Sequence, residues 1–175
     1  FKRDAHAAEI GRQTRKQLGI AADAPGFLCV GSGFERKGVK TAIAALAQAP
    51  QQAHLIVVGR DSRTARYRRI ARSCGVAERT HFLGARDDVR PYFWAADALV
   101  HPALYEAFGI VIAEAMGSGI PVIASTRTGA ARAMVTCPET GALYDSLDVG
   151  GFAQAMQLMA ERDARAREKA RAACE

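Results

Sequence analysis

The chain lacks the marks of a stapled, metallated or membrane-spanning protein. Its four cysteines, Cys29, Cys74, Cys137 and Cys174, are scattered along 175 residues. None forms a C-x-x-C pair and no histidine stands at metal-ligand spacing, so buried, reduced thiols are expected. No apolar run approaches the roughly 18 residues a spanning helix needs. Internal repeats and low-complexity stretches are absent. The opening Phe1-Lys-Arg-Asp4 has neither an initiator Met nor the pattern of a signal peptide, which suggests a piece of something longer. Phosphate-loop and dinucleotide fingerprints are missing too: there is no G-x-x-x-x-G-K-[ST], and Gly31, Gly33 and Gly38 do not make G-x-G-x-x-G.

What is present suits a single α/β domain over residues 1–175. Hydrophobic residues make up 49% and charged residues 24%, enough for a substantial core and against disorder away from the ends. The formal net charge of +6 favours a nucleic acid, an anionic membrane face or a phosphorylated substrate, without choosing among them. Short apolar runs end at turn residues: 27–30, 54–58, 80–83, 98–101, 121–125 and 140–144. They read as fully buried parallel strands. Helical patterns lie between them at 37–48, 62–73, 88–95, 109–116 and 148–160. Residues 4–19 read as an amphipathic lead-in with Ala8, Ile10 and Leu18 toward the core, and 161–175 as a charged, Ala-rich helix. Alternating β and α units predict a three-layer, doubly wound parallel sheet of about six strands, with ligands beyond the C-terminal strand ends.

Three segments sit at such ends. The most informative is Glu106-Ala-Phe-Gly-Ile-Val-Ile-Ala-Glu114, between His101-Pro102 and Gly119-Ile-Pro121. A glycine turn opens an apolar helix, whose first N–H groups attract an anion such as a diphosphate. Carboxylates before and inside that helix would hold hydroxyls at two ends of one elongated, phosphate-bearing ligand. A nucleotide-sugar has that form. The second segment is Gly31-Ser32-Gly33-Phe34-Glu35-Arg36-Lys37-Gly38. Its glycines allow close backbone approach, and Arg36 and Lys37 at a helix start call for an anionic partner. The third is His81-Phe-Leu-Gly84-Ala-Arg86-Asp-Asp-Val89, where Asp87 and Asp88 read as helix caps rather than metal ligands. The arginines at 60, 63, 66, 68, 69 and 72 read first as a solvated face, then as an anionic membrane contact. Nucleic acid comes last, because no aromatics interleave them. Gly59-Arg60-Asp61 lies near the ligand, and His101 reads as structural.

The first segment, in the frame H-P-x-x-x-E-A-F-G-I-V-x-x-E-A-M-x-x-G-x-P-V, resembles the signature of retaining, GT-B-type glycosyltransferases of the group 1 family (glycosyltransferase family 4). The resemblance covers residues 27 to about 160. It implies the C-terminal, donor-binding half of a two-domain enzyme, with an acceptor half preceding Phe1. Glu106 would contact the donor sugar and Glu114 the ribose. Gly31, Ser32, Gly33, Ala107, Phe108, Gly109 and Ile110 would line the donor site. The backbone at Arg86 would read a uracil. Arg36, Lys37 and Glu106 would carry the chemistry, without a metal or other cofactor. The family loop reads G-R-x-x-x-x-K-G; here Ser32 takes the Arg position and Arg36 stands beside the Lys. That variant is similar to lipopolysaccharide-core α-1,3-glucosyltransferases using UDP-glucose. The implied partners are the nucleotide-sugar, the missing half, a lipopolysaccharide-core acceptor and the anionic inner membrane. The implied location is cytoplasmic or peripheral to that membrane. A non-catalytic nucleotide-sugar-binding module and a UDP-sugar epimerase are the alternatives.

Overall fold

The structure, a computed structural model, describes residues 1–172. Its elements run α1 (Ala5–Gln17), β1 (Gly26–Val30), α2 (Val39–Leu46), β2 (His54–Val58), α3 (Thr64–Ser73), β3 (Thr80–Gly84), α4 (Arg90–Ala95), β4 (Ala98–His101), α5 (Ile110–Gly117), β5 (Val122–Ser125), α6 (Ala131–Met134), β6 (Gly141–Tyr144) and α7 (Val149–Ala172). All pairings are parallel, in the order β3-β2-β1-β4-β5-β6. This is the expected doubly wound sheet.

Alternation along each strand splits the core in two. Phe27 and Cys29 of β1 point into one layer with Phe34, Ile43, Tyr67, Phe152 and Met156, beneath α2, α3 and α7. Leu28 points into the other with Phe93, Ile112 and Ala115, beneath α4 and α5. Each large side chain fully buried here contributes about 1.5–3 kcal/mol of hydrophobic stabilisation. Among the described residues no helix is long and apolar enough to cross a membrane.

Several expectations need correction. β3 and β6 are only partly buried, because each is an outer strand covered on fewer sides than β1, β2, β4 and β5. α1 buries Ala7, Gly11, Thr14 and Arg15, while Ala8 and Ile10 are half-buried; Leu18, just past the helix, is half-buried and packs against the core as expected. The reason is close approach: Gly11 lies directly against the Trp94 carbonyl of α4, so the small-residue face turns inward. α6 was not anticipated, since one turn of Ala-Arg-Ala-Met has no period to read. Of the thiols, Cys29 is buried, Cys74 half-buried and Cys137 exposed; Cys174 lies outside the described residues. The charged tail helix continues α7 as far as Ala172.

Strand order reverses between β1 and β4. Their following helices, α2 and α5, cover opposite faces. The loops after these two strands therefore part at the C-terminal edge of the sheet and leave a crevice, the usual ligand position of such folds. Those loops are residues 31–38 and 102–109, the two strongest motifs of the sequence.

Candidate functional site

The 31–38 loop is held from beside and below. Gly31 N donates to Val58 O at 2.8 Å and Gly33 N to Arg60 O at 3.0 Å. Ser32 Oγ accepts from Arg60 N at 3.0 Å. Asp61 accepts from Phe34 N at 2.7 Å and from Arg63 N at 2.7 Å, so one carboxylate ties two loops together. Phe34 is fully buried and meets Tyr67 edge-on, with centroids 5.3 Å apart. At Gly38 φ is +68°, and a Cβ would run into the Pro102 carbonyl; only glycine lets this turn rest on the β4 loop. Arg36 O then accepts from Leu104 N at 2.9 Å. The two cations thus lie in a turn ahead of α2, which begins at Val39, and not in the first helical turn as the sequence suggested.

The 102–109 loop is clamped by the segment after β5. Glu106 N donates to Arg127 O at 3.3 Å, Gly129 N to Glu106 O at 3.0 Å, and Ala130 N to Phe108 O at 2.8 Å. Gly109, with φ +86°, packs on Thr128 and opens α5 without a side-chain cap. The first N–H groups of that helix are then available to an anion.

The two loops meet through charge. Glu106 Oε2 accepts from Lys37 Nζ in a short contact and from Arg36 NH1 at 2.9 Å. Lys37 and Glu106 keep only 11% and 16% of their side-chain surface exposed, against 49% for Arg36. Burial pushes the Glu106 carboxyl up, but hydrogen bonds and charge from Lys37 and Arg36 outweigh it and hold the group below the ordinary carboxylate range. The sequence assigned these residues to different parts of a ligand; the fold makes them one cluster across 70 positions of chain.

The other anticipated residues lie along α5 and on the neighbouring loops. Glu114 lies four residues beyond Ile110, about 6 Å along α5. It is half-buried; burial raises its carboxyl pKa, and the Phe1 ammonium opposes the rise. Ala107, Phe108 and Ile110 are exposed and, with Tyr105, make an apolar lip around Glu106. Arg86 is exposed just past β3, whose Gly84 O accepts from Gly59 N at 2.9 Å. The loops after β1, β2 and β3 therefore run side by side. An open depression of about 510 Å³ between them is lined by Ser32, Gly33, Arg60, Asp61 and Ala85.

Neither Asp87 nor Asp88 is the N-cap of α4, a position held by Val89 without a side-chain cap; Asp88 instead accepts from Arg90 N at 3.0 Å and from its guanidinium at 2.9 and 2.8 Å. The arginines at 60, 63, 66, 68, 69 and 72 are all exposed; Arg63 pairs with Glu35 at 2.6 Å and Arg68 covers the Phe82 ring. Among the described residues no group of His, Cys, Asp and Glu could hold a metal ion. His101 is wholly buried, and burial together with the nearby Lys37 charge depresses its pKa to about 4, with Glu106 pulling the other way. Sequence reasoning missed the tie made by Asp61 and the clamp around Thr128. Asp61 carried the signal of an acidic residue just past a strand-end glycine, but nothing in the sequence named Phe34 N as its partner.

A doubly wound sheet with a basic turn, an ion-paired glutamate and an uncapped helix start at its switch point defines an α/β protein with an anion-receptive crevice. The family described as glycosyl transferases group 1 matches residues 11–174, and the chain belongs to it. Particular relatives follow. The chain is 35% identical over 154 residues to the lipopolysaccharide core biosynthesis glycosyltransferase LpsE of Rhizobium meliloti, covering 87% of this chain and 45% of that protein. It is 40% identical over 119 residues to the lipopolysaccharide glucosyltransferase WaaG of Escherichia coli, covering 66% and 32%. The crystal structure of WaaG superposes with a TM-score of 0.74 at 31% identity, over 93% of this chain and 47% of that one. A sucrose-phosphate synthase of Thermosynechococcus elongatus gives 0.75 at 37%, over 87% and 40%. The chain thus spans less than half the length of each of these relatives.

Proposed function

We propose that this chain is the donor-binding half of a retaining hexosyltransferase that moves glucose, or a related hexose, from a UDP-sugar to an acceptor hydroxyl of the lipopolysaccharide core. The observation that carries the reading is the Arg36–Lys37–Glu106 cluster at the switch-point crevice, beside the uncapped start of α5. A diphosphate entering there meets a guanidinium fork, an ammonium and helix N–H groups. Together they stabilise the charge that grows on the departing UDP. These fixed positive groups supply what a metal would otherwise supply. Glu106 orients the hexose, Glu114 the ribose, and the backbone at Arg86 meets the base. In this reading Glu106 orients the sugar and transfers no proton. The acceptor half, and any approach to the anionic face of the inner membrane, belong to the longer protein. The names of LpsE and WaaG support the lipopolysaccharide setting.

Titration calorimetry with a chelator present tests the reading. UDP and UDP-glucose should both bind. Glu114→Ala should weaken UDP, and Glu106→Ala should erase the preference for UDP-glucose over UDP, each by roughly 1.5–3 kcal/mol. No heat at millimolar ligand, recovery only with manganese, or the opposite pattern in the two variants would overturn it. Transfer by the 175-residue chain alone is not expected, since an acceptor must be held within about 3–3.5 Å of the anomeric carbon.

A further inference from the structure

Four buried side-chain polar atoms have no hydrogen-bond partner among the described residues: Arg15 Nε, Thr128 Oγ1 and both ring nitrogens of His101. Three of the four border one loop. His101 is the last residue of β4 and leads into the 102–109 loop. Thr128 is bridged to Glu106 and lies against Gly109 at the loop's far end. Folded proteins seldom bury an imidazole with neither its N–H nor its lone pair engaged, because both lose water without return. The charges acting on this ring are those of Lys37, Glu106 and Arg36. His101 has no exposed surface, whereas Arg36 is half exposed.

We propose that His101 is a positioning residue for Glu106. In the structure Lys37 and Arg36 both hold Glu106 Oε2. A diphosphate that draws those cations away leaves the carboxylate without them, at a place where burial already disfavours its charge. The neutral imidazole N–H then donates to the carboxylate, keeps it ionised and fixes its direction toward the sugar. No proton changes hands; one set of hydrogen bonds replaces another. The proposal rests on the donor-site reading above, but its first test does not.

Long-range proton–nitrogen spectra of a histidine-labelled chain follow the ring nitrogens directly, with His101→Asn assigning the signals. In the ligand-free Arg36→Met/Lys37→Met double variant, which strips the cations off Glu106, the His101 N–H should shift to a hydrogen-bonded position. Adding Glu106→Gln should reverse most of that shift. Unchanged His101 signals in a folded double variant overturn the proposal whatever UDP-glucose does. Should the double variant not fold, the wild-type chain saturated with UDP decides in the same way. Binding gives the second readout. His101→Leu should weaken UDP and UDP-glucose about tenfold each, the loss of one hydrogen bond to a charged group, since the diphosphate of either ligand draws the cations away. His101→Asn, which keeps an N–H donor, should restore most of it. Unchanged affinity for both ligands in a folded His101→Leu chain, or a loss that His101→Asn does not restore, would overturn the proposal. Failure of the wild-type chain to bind UDP-glucose would instead sink the donor-site reading.

Discussion

Arg15–Asp97 and Lys37–Glu106 are cation–carboxylate pairs at opposite ends of the same sheet, buried to nearly the same degree. Side-chain exposure is 10% and 12% in the first pair, 11% and 16% in the second. Their partners differ. Arg15 donates to Ala95 O at 2.8 Å, to Ala21 O at 3.0 Å, to Ala24 O in a short contact, and to Asp97 at 3.2 Å. Asp97 also accepts from Gly26 N at 2.6 Å. This pair is sewn into the backbone where α1 ends and β1 and β4 begin. Among the described residues the Lys37 ammonium donates to Glu106 alone, and Glu106 takes both its cations on one oxygen. A pair whose remaining bonding capacity goes to backbone acts as a rivet. A pair bonded chiefly to itself can exchange its partners for a ligand.

The largest effect should come from the rivet. Removing one partner of a buried pair strands the other's charge and several carbonyls. Arg15→Met should therefore cost about 3–5 kcal/mol in urea unfolding, while UDP affinity of the folded fraction stays at the wild-type level. A loss below about 1 kcal/mol would erase the difference between the two pairs.

Acid gives the next largest effect. The folded-state pKa of His101, about 4, lies below the unfolded value of about 6.5. The unfolded chain thus binds the extra proton first. The stability from the neutral ring is complete above pH 6.5 and is lost as pH falls toward 4. By pH 5 the loss from His101 is about 2 kcal/mol. His54, also depressed to about 4 by burial, by the charge of His81 3.0 Å away and by Arg79, acts in the same direction from the other end of the sheet. Urea midpoints at pH 7.5 and 5 should converge in His101→Asn relative to the wild-type chain. An unchanged pH slope in that variant would show that the ring is not held neutral.

The smallest stability effect should come from the exchangeable pair. Arg36 still holds Glu106 in Lys37→Met, so unfolding should change by about 1 kcal/mol or less. UDP affinity should nevertheless fall roughly tenfold to a hundredfold. If Lys37→Met proved as destabilising as Arg15→Met, the ligand-facing pair would be a second rivet.

Much of this was legible beforehand, for identifiable reasons. β1, β2, β4 and β5 are apolar on both faces and stop at glycine, proline or a turn, so strand length and burial could be read together. The outer strands carry nearly the same composition, and nothing local told β3 and β6 that they would lie at the edges. In α1 the inward face is chosen by how closely Gly11 can approach Trp94, a fact of packing that hydrophobicity misreads. Gly38 and Gly109 were visible as turn residues. That one rests on Pro102 and the other on Thr128 was not.

The strands, the alternation that makes the sheet parallel and doubly wound, and the family could all be read from the residues alone. These are local properties, written in apolar runs, glycine positions and one dense motif. Packing alone brings Arg36, Lys37 and Glu106 into a single cluster, sets Asp61 and Thr128 to hold its two loops, and leaves the His101 ring without a hydrogen-bond partner among the described residues. The reason is topological: reversal of strand order between β1 and β4 brings together the ends of two strands that the chain keeps 70 residues apart, and no local pattern records which neighbour a strand will have.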